Sequence, residues 1–553
     1  MTPEFEKHFR KFCDQNHIVV GAPGAGFFVG EHGVLEGILA ICQQLEQRVW
    51  VGLRYVGGLG ASRRNCIRIC PEKDAHLVFL PGLKGPVPFT DFRPPVGSSG
   101  WEDKVKALEH LIEGLAHRPG CRDLLNLDGA PFDLSILSEL RSGSGCNFSG
   151  AFSVAAVVAV HLASVWLGNV KCVVGKGRFR EAKGKVANLL DLGSRELPDD
   201  PSTPAGRINR AAWVLETFFH GGRASGYGTT CSLVPTRWPM AYLRETPNPE
   251  RVPGKIDLPW DDFRNRPPTE DEWIVVDRLL LDPVEGLQCA VGLLERDPEL
   301  VPNVHAELPF AFGTVYSGRP KDTATAIKKV LSLRDQIAGN LEEELSFFLK
   351  DSRLTGRFPT LSRPTFFDGL RQIQDKDHTT SMRVVHAGVM WASMLVAHAL
   401  CRLMKTSFRA GSTQEEKDLS MAALAEATRA AQGGLCQLFL VDAEASRITE
   451  RVMDTFRECG EQIALKYTGG ARGGNLFCIA PSSLNAERLR KSLEGLLSPV
   501  KVMFIGKIGW ASPSHERRNG ASLVERRPLG HRPGPWHAVA RRLAGSSLPM
   551  DCP

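Results

Sequence analysis

The chain has 553 residues, 42% of them hydrophobic and 24% charged, with a formal net charge of +6. This composition excludes collagen, coiled coil and wholesale disorder, and at about 150 residues per domain it leaves room for roughly two to four cores. Fourteen cysteines lie at irregular intervals, the closest pair being Cys66 and Cys70 with no second pair beside it, which fits free thiols in a reducing cytosol better than zinc ligation or disulfides. The first twenty residues carry charges throughout and lack the apolar core of an export signal, so a cytoplasmic location is expected.

In chain order, the segment from His17 to Val56 reads as strand, glycine loop and strand at the edge of a sheet. A Pro/Gly stretch from Pro81 to Gly100 reads as a loop, followed by an amphipathic helix from Asp103 to His117. Ala151 to Leu167 and Val384 to Met404 are apolar enough to mimic membrane spans, but their small residues and histidines suit buried core helices, and no membrane contact is expected. Glu196 to Gly206 is a second loop before a patterned helix, and Thr246 to Glu272, dense in Pro, Asp and Arg, reads as a linker or surface excursion. Beyond it, Trp273 to Leu281 and Leu308 to Tyr316 read as strands. Helices are expected over Lys328 to Lys350, Ser381 to Lys405 and Glu415 to Ala431, and strands over Cys436 to Val441, Ile463 to Tyr467 and Asn475 to Ala480. This mixture predicts an α+β fold. From Gly506 the chain turns to Arg, Pro, Gly and Ser and reads as a flexible tail. Residues 506–553 hold eight basic groups against three acidic ones, so +5 of the net +6 lies there and the rest is near neutral.

Three glycine-rich segments suggest chemistry, although none has the Gly-Lys-Ser/Thr ending of a Walker loop. In Gly21 to Gly37 (GAPGAGFFVGEHGVLEG), Glu31 and His32 set a carboxylate beside an imidazole; read alone, the segment is equally a tight hairpin. In the second, Gly143, Ser144, Gly145 and Asn147 precede an apolar helix that opens near Ser149 and Gly150. A helix N-terminus there offers unpaired N–H groups and the positive dipole end to a phosphate, although ordinary capping gives the same pattern. In the third, Lys466 to Ala480 (KYTGGARGGNLFCIA), four glycines between apolar strands imply positive φ angles or contact with a ligand.

The segment INRAAWVLETFFHGG has Ile208, Ala212, Leu215 and Phe219 at helical spacing as a buried stripe. At 100° per residue, Asn209, Glu216 and His220 align on another face to within about 20°, which presents a single carboxylate away from the core.

Taken in this order, these segments resemble the GHMP kinase superfamily, and within it the mevalonate kinases. Ala22 to Val34 is similar to APGxxxxxGEHxV and Gly143 to Ala151 to the G-x-G-x-x-S-x-A motif. Lys466 to Gly474 is similar to K-x-T-G-x-G-x-G-G, with Ala471 and Arg472 in place of two small residues. Ile208, Asn209, Ala212, Glu216, His220 and Gly221 match the I-N-x-x-A-x-x-x-E-x-x-x-H-G helix. VYSGRPKDTATAIKKV from Val315 is similar to the family's strand, V-P-x-x-T turn and helix. The resemblance implies an N-terminal α/β domain over 1–300, a ferredoxin-like α+β domain over 301–505 and an active site between them, with the tail 506–553 outside. It implies transfer of the γ-phosphoryl of ATP to a hydroxyl or phosphate of a small acid or sugar. Nucleotide phosphates would lie on Gly143, Ser144, Gly145, Asn147, Ser149 and Gly150, and Ser149 and Glu216 would act in catalysis by holding Mg²⁺. Glu31, His32, Thr468, Gly469 and Gly470 would face the acceptor. The partner implied is that small molecule, with neither nucleic acid nor membrane; a homodimer is allowed.

Two positions depart from the family pattern. Ala25 stands where a lysine is usual, and Gly228 where an aspartate is usual, so the customary base and its charge partner are both missing. Losing a general base removes about 10²–10⁴ in rate, whereas positioning and charge neutralisation carry most of phosphoryl transfer. A non-catalytic relative that binds nucleotide or metabolite as a sensor or scaffold is therefore the alternative expectation.

Overall fold

The structure is a computed structural model that describes residues 3–30, 34, 40–56, 67–69, 76–78, 87–88, 101–140, 144–173, 185–188, 198, 200, 202–220, 224–234, 239–244, 258–259, 262–264, 266–281, 287, 289–293, 310–316, 378–437, 443–468 and 475–481. The helix expected over Lys328 to Lys350, nearly all of the Pro81 to Gly100 loop, and the tail from Gly506 lie outside the described residues.

A nine-stranded mixed sheet forms the larger layer. Its main path runs β5 (Val87–Pro88), β4 (His76–Val78), β6 (Phe132–Ser138), β2 (Ala40–Tyr55), β1 (Ile18–Val29), β7 (Lys185–Asn188). β3 (Ile67–Ile69) pairs with β6, β8 (Met240–Arg244) with β2, and β9 (Cys289–Leu293) with β8. β1 runs antiparallel to β2 and parallel to β7, so the first strand pair is central and not at an edge as expected. The glycines of GAPGAG, rather than breaking the strand into a loop, sit inside β1, whose register shifts between Pro23 and Ala25 and again between Phe27 and Val29.

Period-2 alternation divides the two faces. Val19, Trp50 and Leu137 meet Phe5 and Phe12 of α1 (Pro3–Gln15) on one side. Val20, Val49, Val51, Leu134 and Ile136 face the other, where α4 (Phe148–Val173) crosses. α4 is alanine- and valine-rich on every side because it is enclosed by the sheet, α3 (Arg122–Leu125), α5 (Pro204–Phe219) and α6 (Tyr227–Leu233). Its first part, Phe148–Leu167, has the length and hydropathy of a membrane span but is mostly buried inside the protein, as a core helix is.

α5 begins with Thr203, whose hydroxyl accepts from Gly206 N at 3.0 Å, and Pro204 in its first turn. It is enclosed nearly all round, not along one stripe, and Glu216 is only 4% exposed. α2 (Trp101–His117) covers the same face. α7 (Glu270–Leu281) occupies the segment expected as a strand at Trp273 to Leu281. Its β-branched run Ile274, Val275 and Val276 favours a strand, but a capping box prevails: Glu272 N donates to Thr269 Oγ1 and Thr269 N to Glu272 Oε2 at 2.6 Å.

The smaller sheet is antiparallel, in the order β10 (Phe310–Tyr316), β12 (Asn475–Pro481), β11 (Ala464–Tyr467). α8 (His378–Phe408) and α9 (Gln414–Gln437) pack as a pair, with α10 (Ala443–Glu458) beside α9. The strand expected from Cys436 begins instead as helix, since Cys436 and Gln437 close α9. One apolar cluster spans both sheets, joining Phe28, Val29 and Ile41 to Leu400, Leu403, Leu424, Phe477 and Ile479. The fold is thus α+β.

Glu139 follows β6 on the Leu137 face, away from α4. It accepts from Arg48 N at 3.3 Å and Trp50 Nε1 at 3.5 Å, and burial pushes its carboxyl up to about 7. A proton held more tightly in the folded state stabilises fully below the ordinary value of 4.5, and that stabilisation is lost as pH rises through about 7. Glu139→Gln should therefore flatten the fall in melting temperature between pH 5 and pH 7.5. An unchanged slope would remove Glu139 as its source.

Candidate nucleotide site at the start of helix α4

The loop 144–147 joins β6 to α4 and is held from two sides. From the larger sheet, Ala25 N donates to Cys146 O at 3.1 Å. From the smaller one, Asn475 N donates to Ser144 O at 2.6 Å, Thr468 Oγ1 to Gly145 O at 3.5 Å, and the Asn475 amide closely contacts Cys146 Sγ. Thr468 is fully buried, and its hydroxyl also accepts from Phe27 N at 2.9 Å. Lys466 reaches the same strand, donating to Phe28 O at 3.0 Å. The loop takes left-handed geometry at Gly145 (φ 80°) and Asn147 (φ 62°), which aims the chain into the helix. The Ser144 hydroxyl is buried with no hydrogen-bond partner among the described residues.

At the first turn of α4, Ser149 Oγ shares a 3.2 Å hydrogen bond with His220 Nε2. The same nitrogen lies 3.8 Å from Glu216 Oε1. Helix α5 ends at Phe219, so His220 caps it and turns back over the Glu216 carboxylate one helical turn earlier. Glu216 Oε2 and His220 Nδ1 are buried without hydrogen-bond partners among the described residues. A hydroxyl, an imidazole and an under-satisfied carboxylate thus converge where a helix N-terminus presents its unpaired N–H groups.

The floor of this site is tightly filled. Asn147 Nδ2 donates to Gly228 O at 2.8 Å and to Ser232 Oγ at 2.9 Å, so its side chain turns toward α6. A Cβ built on Gly228 would lie 2.2 Å from Asn147 Oδ1 and 2.5 Å from Glu216 Oε1, and position 228 admits no side chain as the residues stand. Asn209, aligned with Glu216 by helical periodicity, donates to Thr230 Oγ1 at 2.8 Å and braces α5 against α6.

Of the residues singled out by sequence, Ser149, Glu216, Asn147 and Gly150 gather here, and Ser144, Gly145 and Thr468 line the clamp beside them. Glu31, His32, Gly143, Gly469 and Gly470 lie outside the described residues. Asn475 and Ser232 escaped sequence reasoning; Asn475 follows the glycine run directly, which is the one local signal that marks it. Among the described residues no three His, Cys, Asp or Glu side chains cluster as a metal cage. A cation here would draw on Ser149 and the free oxygen of Glu216, plus phosphate and water. Such a donor set fits Mg²⁺, which keeps few protein ligands.

No family model matches the chain, and no curated protein matches it. Several solved structures are similar to it. L. major mevalonate kinase in complex with R-mevalonate shares 14% identity, with 88% of this chain and 93% of that chain covered, at a TM-score of 0.43. Lactococcus lactis galactokinase complexed with galactose shares 12% identity over 90% of this chain and 94% of that one, at 0.45. Streptococcus pneumoniae phosphomevalonate kinase in complex with phosphomevalonate and AMPPNP shares 12% identity over 87% and 97%, at 0.40.

Proposed function

We propose that the chain is a GHMP-type small-molecule kinase, dependent on ATP and Mg²⁺, that phosphorylates a hydroxyl or phosphate of a mevalonate-like acid or a sugar. The observation that supports it most is the convergence of Ser149 and Glu216 on His220 Nε2 at the start of α4, with Glu216 Oε2 buried and without a partner among the described residues. In this reading the loop 144–147 and the first N–H groups of α4 bind the nucleotide phosphates. Ser149 and Glu216 hold Mg²⁺, which when bound neutralises charge on the transferring phosphoryl group. His220 orients both side chains, and the Thr468 and Asn475 clamp fixes the loop. The reading also takes 1–300 and 301–505 as two domains, a cytoplasmic location, a small-molecule acceptor, and a separate role for the tail 506–553.

A second reading, a relative that binds nucleotide or metabolite without transfer, is favoured by the crowding at Gly228 and by Ala25, which is buried with its N–H on Cys146 O. Purified protein incubated with Mg²⁺, ATP and a panel of mevalonate-pathway acids, their phosphates and sugars separates the two. Acceptor-dependent ADP release is expected. ATP binding without turnover on any acceptor would establish the second reading, and absence of ATP binding would reject both.

A further inference from the structure

The first turns of α4 and α6 lie against each other, and the Asn147 side chain fills the space between them. Its amide bonds Gly228 O and Ser232 Oγ, and Ser232 donates onward to Pro23 O at 2.7 Å, so the contact reaches into β1. Asn147 Oδ1 lies 2.2 Å from a Cβ built on Gly228 and 2.5 Å from one built on Gly150. Asn147 thus crowds both glycines, and at position 150 the Gly228 backbone carbon, 2.8 Å from a Cβ built there, crowds it as well. The Asn147 side chain sits on a residue with φ 62°, where asparagine is tolerated best after glycine but any side chain is disfavoured. The arrangement joins three elements and sets the Glu216 carboxylate beside position 228.

We propose that Asn147 is a positioning residue that occupies the place of a second acidic group beside Glu216, and that residues 147 and 228 form an exchange pair. Asparagine with glycine keeps the site at one carboxylate; glycine with aspartate would seat two. Two of the three atoms nearest a Cβ at 228 belong to Asn147; with Asn147 reduced to glycine the third stays, Glu216 Oε1, the end of a rotatable side chain whose other oxygen has no partner among the described residues. Two carboxylates so close repel each other and gain from a divalent cation, whereas the single carboxylate relies on phosphate to complete the cation's ligands. The packing half of this proposal stands alone; the cation half rests on reading the site as one for Mg²⁺ and nucleotide.

The test compares wild type, Asn147→Gly, Gly228→Asp and the double variant by melting temperature with and without MgCl₂, and by calorimetric ATP affinity with and without Mg²⁺. Gly228→Asp should melt several degrees lower than wild type or fail to fold, in which case Gly228→Ala reads the steric effect without the charge. The double variant should fold, melt above Gly228→Asp, and rise further on adding MgCl₂ than wild type does. Its ATP affinity should gain from Mg²⁺ at least about tenfold more than wild type gains, as expected when ligand charge tunes a hard-cation site. Melting of Gly228→Asp or Gly228→Ala at the wild-type temperature would overturn the proposal. So would additive losses in the double variant, its failure to fold, or a MgCl₂ response no larger than that of wild type. If no protein binds ATP yet the double variant recovers and responds to MgCl₂, the exchange pair stands and the nucleotide reading falls.

Discussion

Replacing Glu216 by glutamine is expected to lower acceptor-dependent turnover at least about a hundredfold while the melting temperature stays level or rises. Both halves follow from one fact. The carboxylate is buried beside a hydroxyl and an imidazole with Oε2 unpartnered among the described residues, so its charge is held against a desolvation penalty. Glutamine keeps the shape and removes the charge, which relieves that penalty in the folded state and deletes the anion that would hold Mg²⁺. Steady-state ADP release and calorimetric binding of ATP with Mg²⁺ measure the loss, and a thermal melt measures the stability. Should the protein bind nucleotide without turning it over, the same substitution should weaken Mg²⁺-dependent ATP binding alone. Full retention of both activity and binding would remove Glu216 from the metal site.

Thr468→Val is expected to weaken the fold by about 1–3 kcal/mol, because valine matches the threonine shape but leaves the buried Phe27 N–H without the acceptor it has at 2.9 Å. The same change frees Gly145 O from the smaller sheet, so ATP affinity should fall as well. Hydrogen exchange at Phe27, read by mass spectrometry on short peptides, should accelerate in Thr468→Val and return to the wild-type rate in Thr468→Ser, which restores the hydroxyl. Equal protection in all three proteins would show that Thr468 does not hold β1.

Much of this site is legible in sequence because it depends on local periodicity. Glu216 and His220 are one helical turn apart, and Ser149 follows a glycine loop at the mouth of an apolar helix. Spacing alone therefore places these groups at element ends or on one face. What spacing does not carry is which elements meet. Helix α5 shows one apolar stripe, yet α4, α6 and α7 surround it, so Glu216 is enclosed although its spacing puts it on a face away from the core. The contact of Asn147 with Gly228 spans 81 residues, and that of Asn475 with Cys146 spans 329; neither leaves a local pattern. The mistaken strand at Trp273 to Leu281 had a different cause. The helix signal lies just upstream in Thr269 and Glu272, three residues apart, while the β-branched run Ile274 to Val276 by itself favours a strand.

The clamp on loop 144–147 has a consequence for how the chain comes into being. Its N-terminal side, Ala25, precedes the loop, but its other side, Thr468 and Asn475, is made more than three hundred residues later. At a synthesis rate of about 5–20 residues per second, the loop leaves the ribosome on the order of tens of seconds before its second anchor exists. The larger sheet can close around α4 during that interval from contacts already synthesised, whereas the loop takes its final shape only when β11 and β12 arrive. Assembly of the binding site is thereby tied to completion of the smaller sheet, and a chain truncated before Asn475 would carry every residue of α4 and α5 yet lack the anchor that sets the loop.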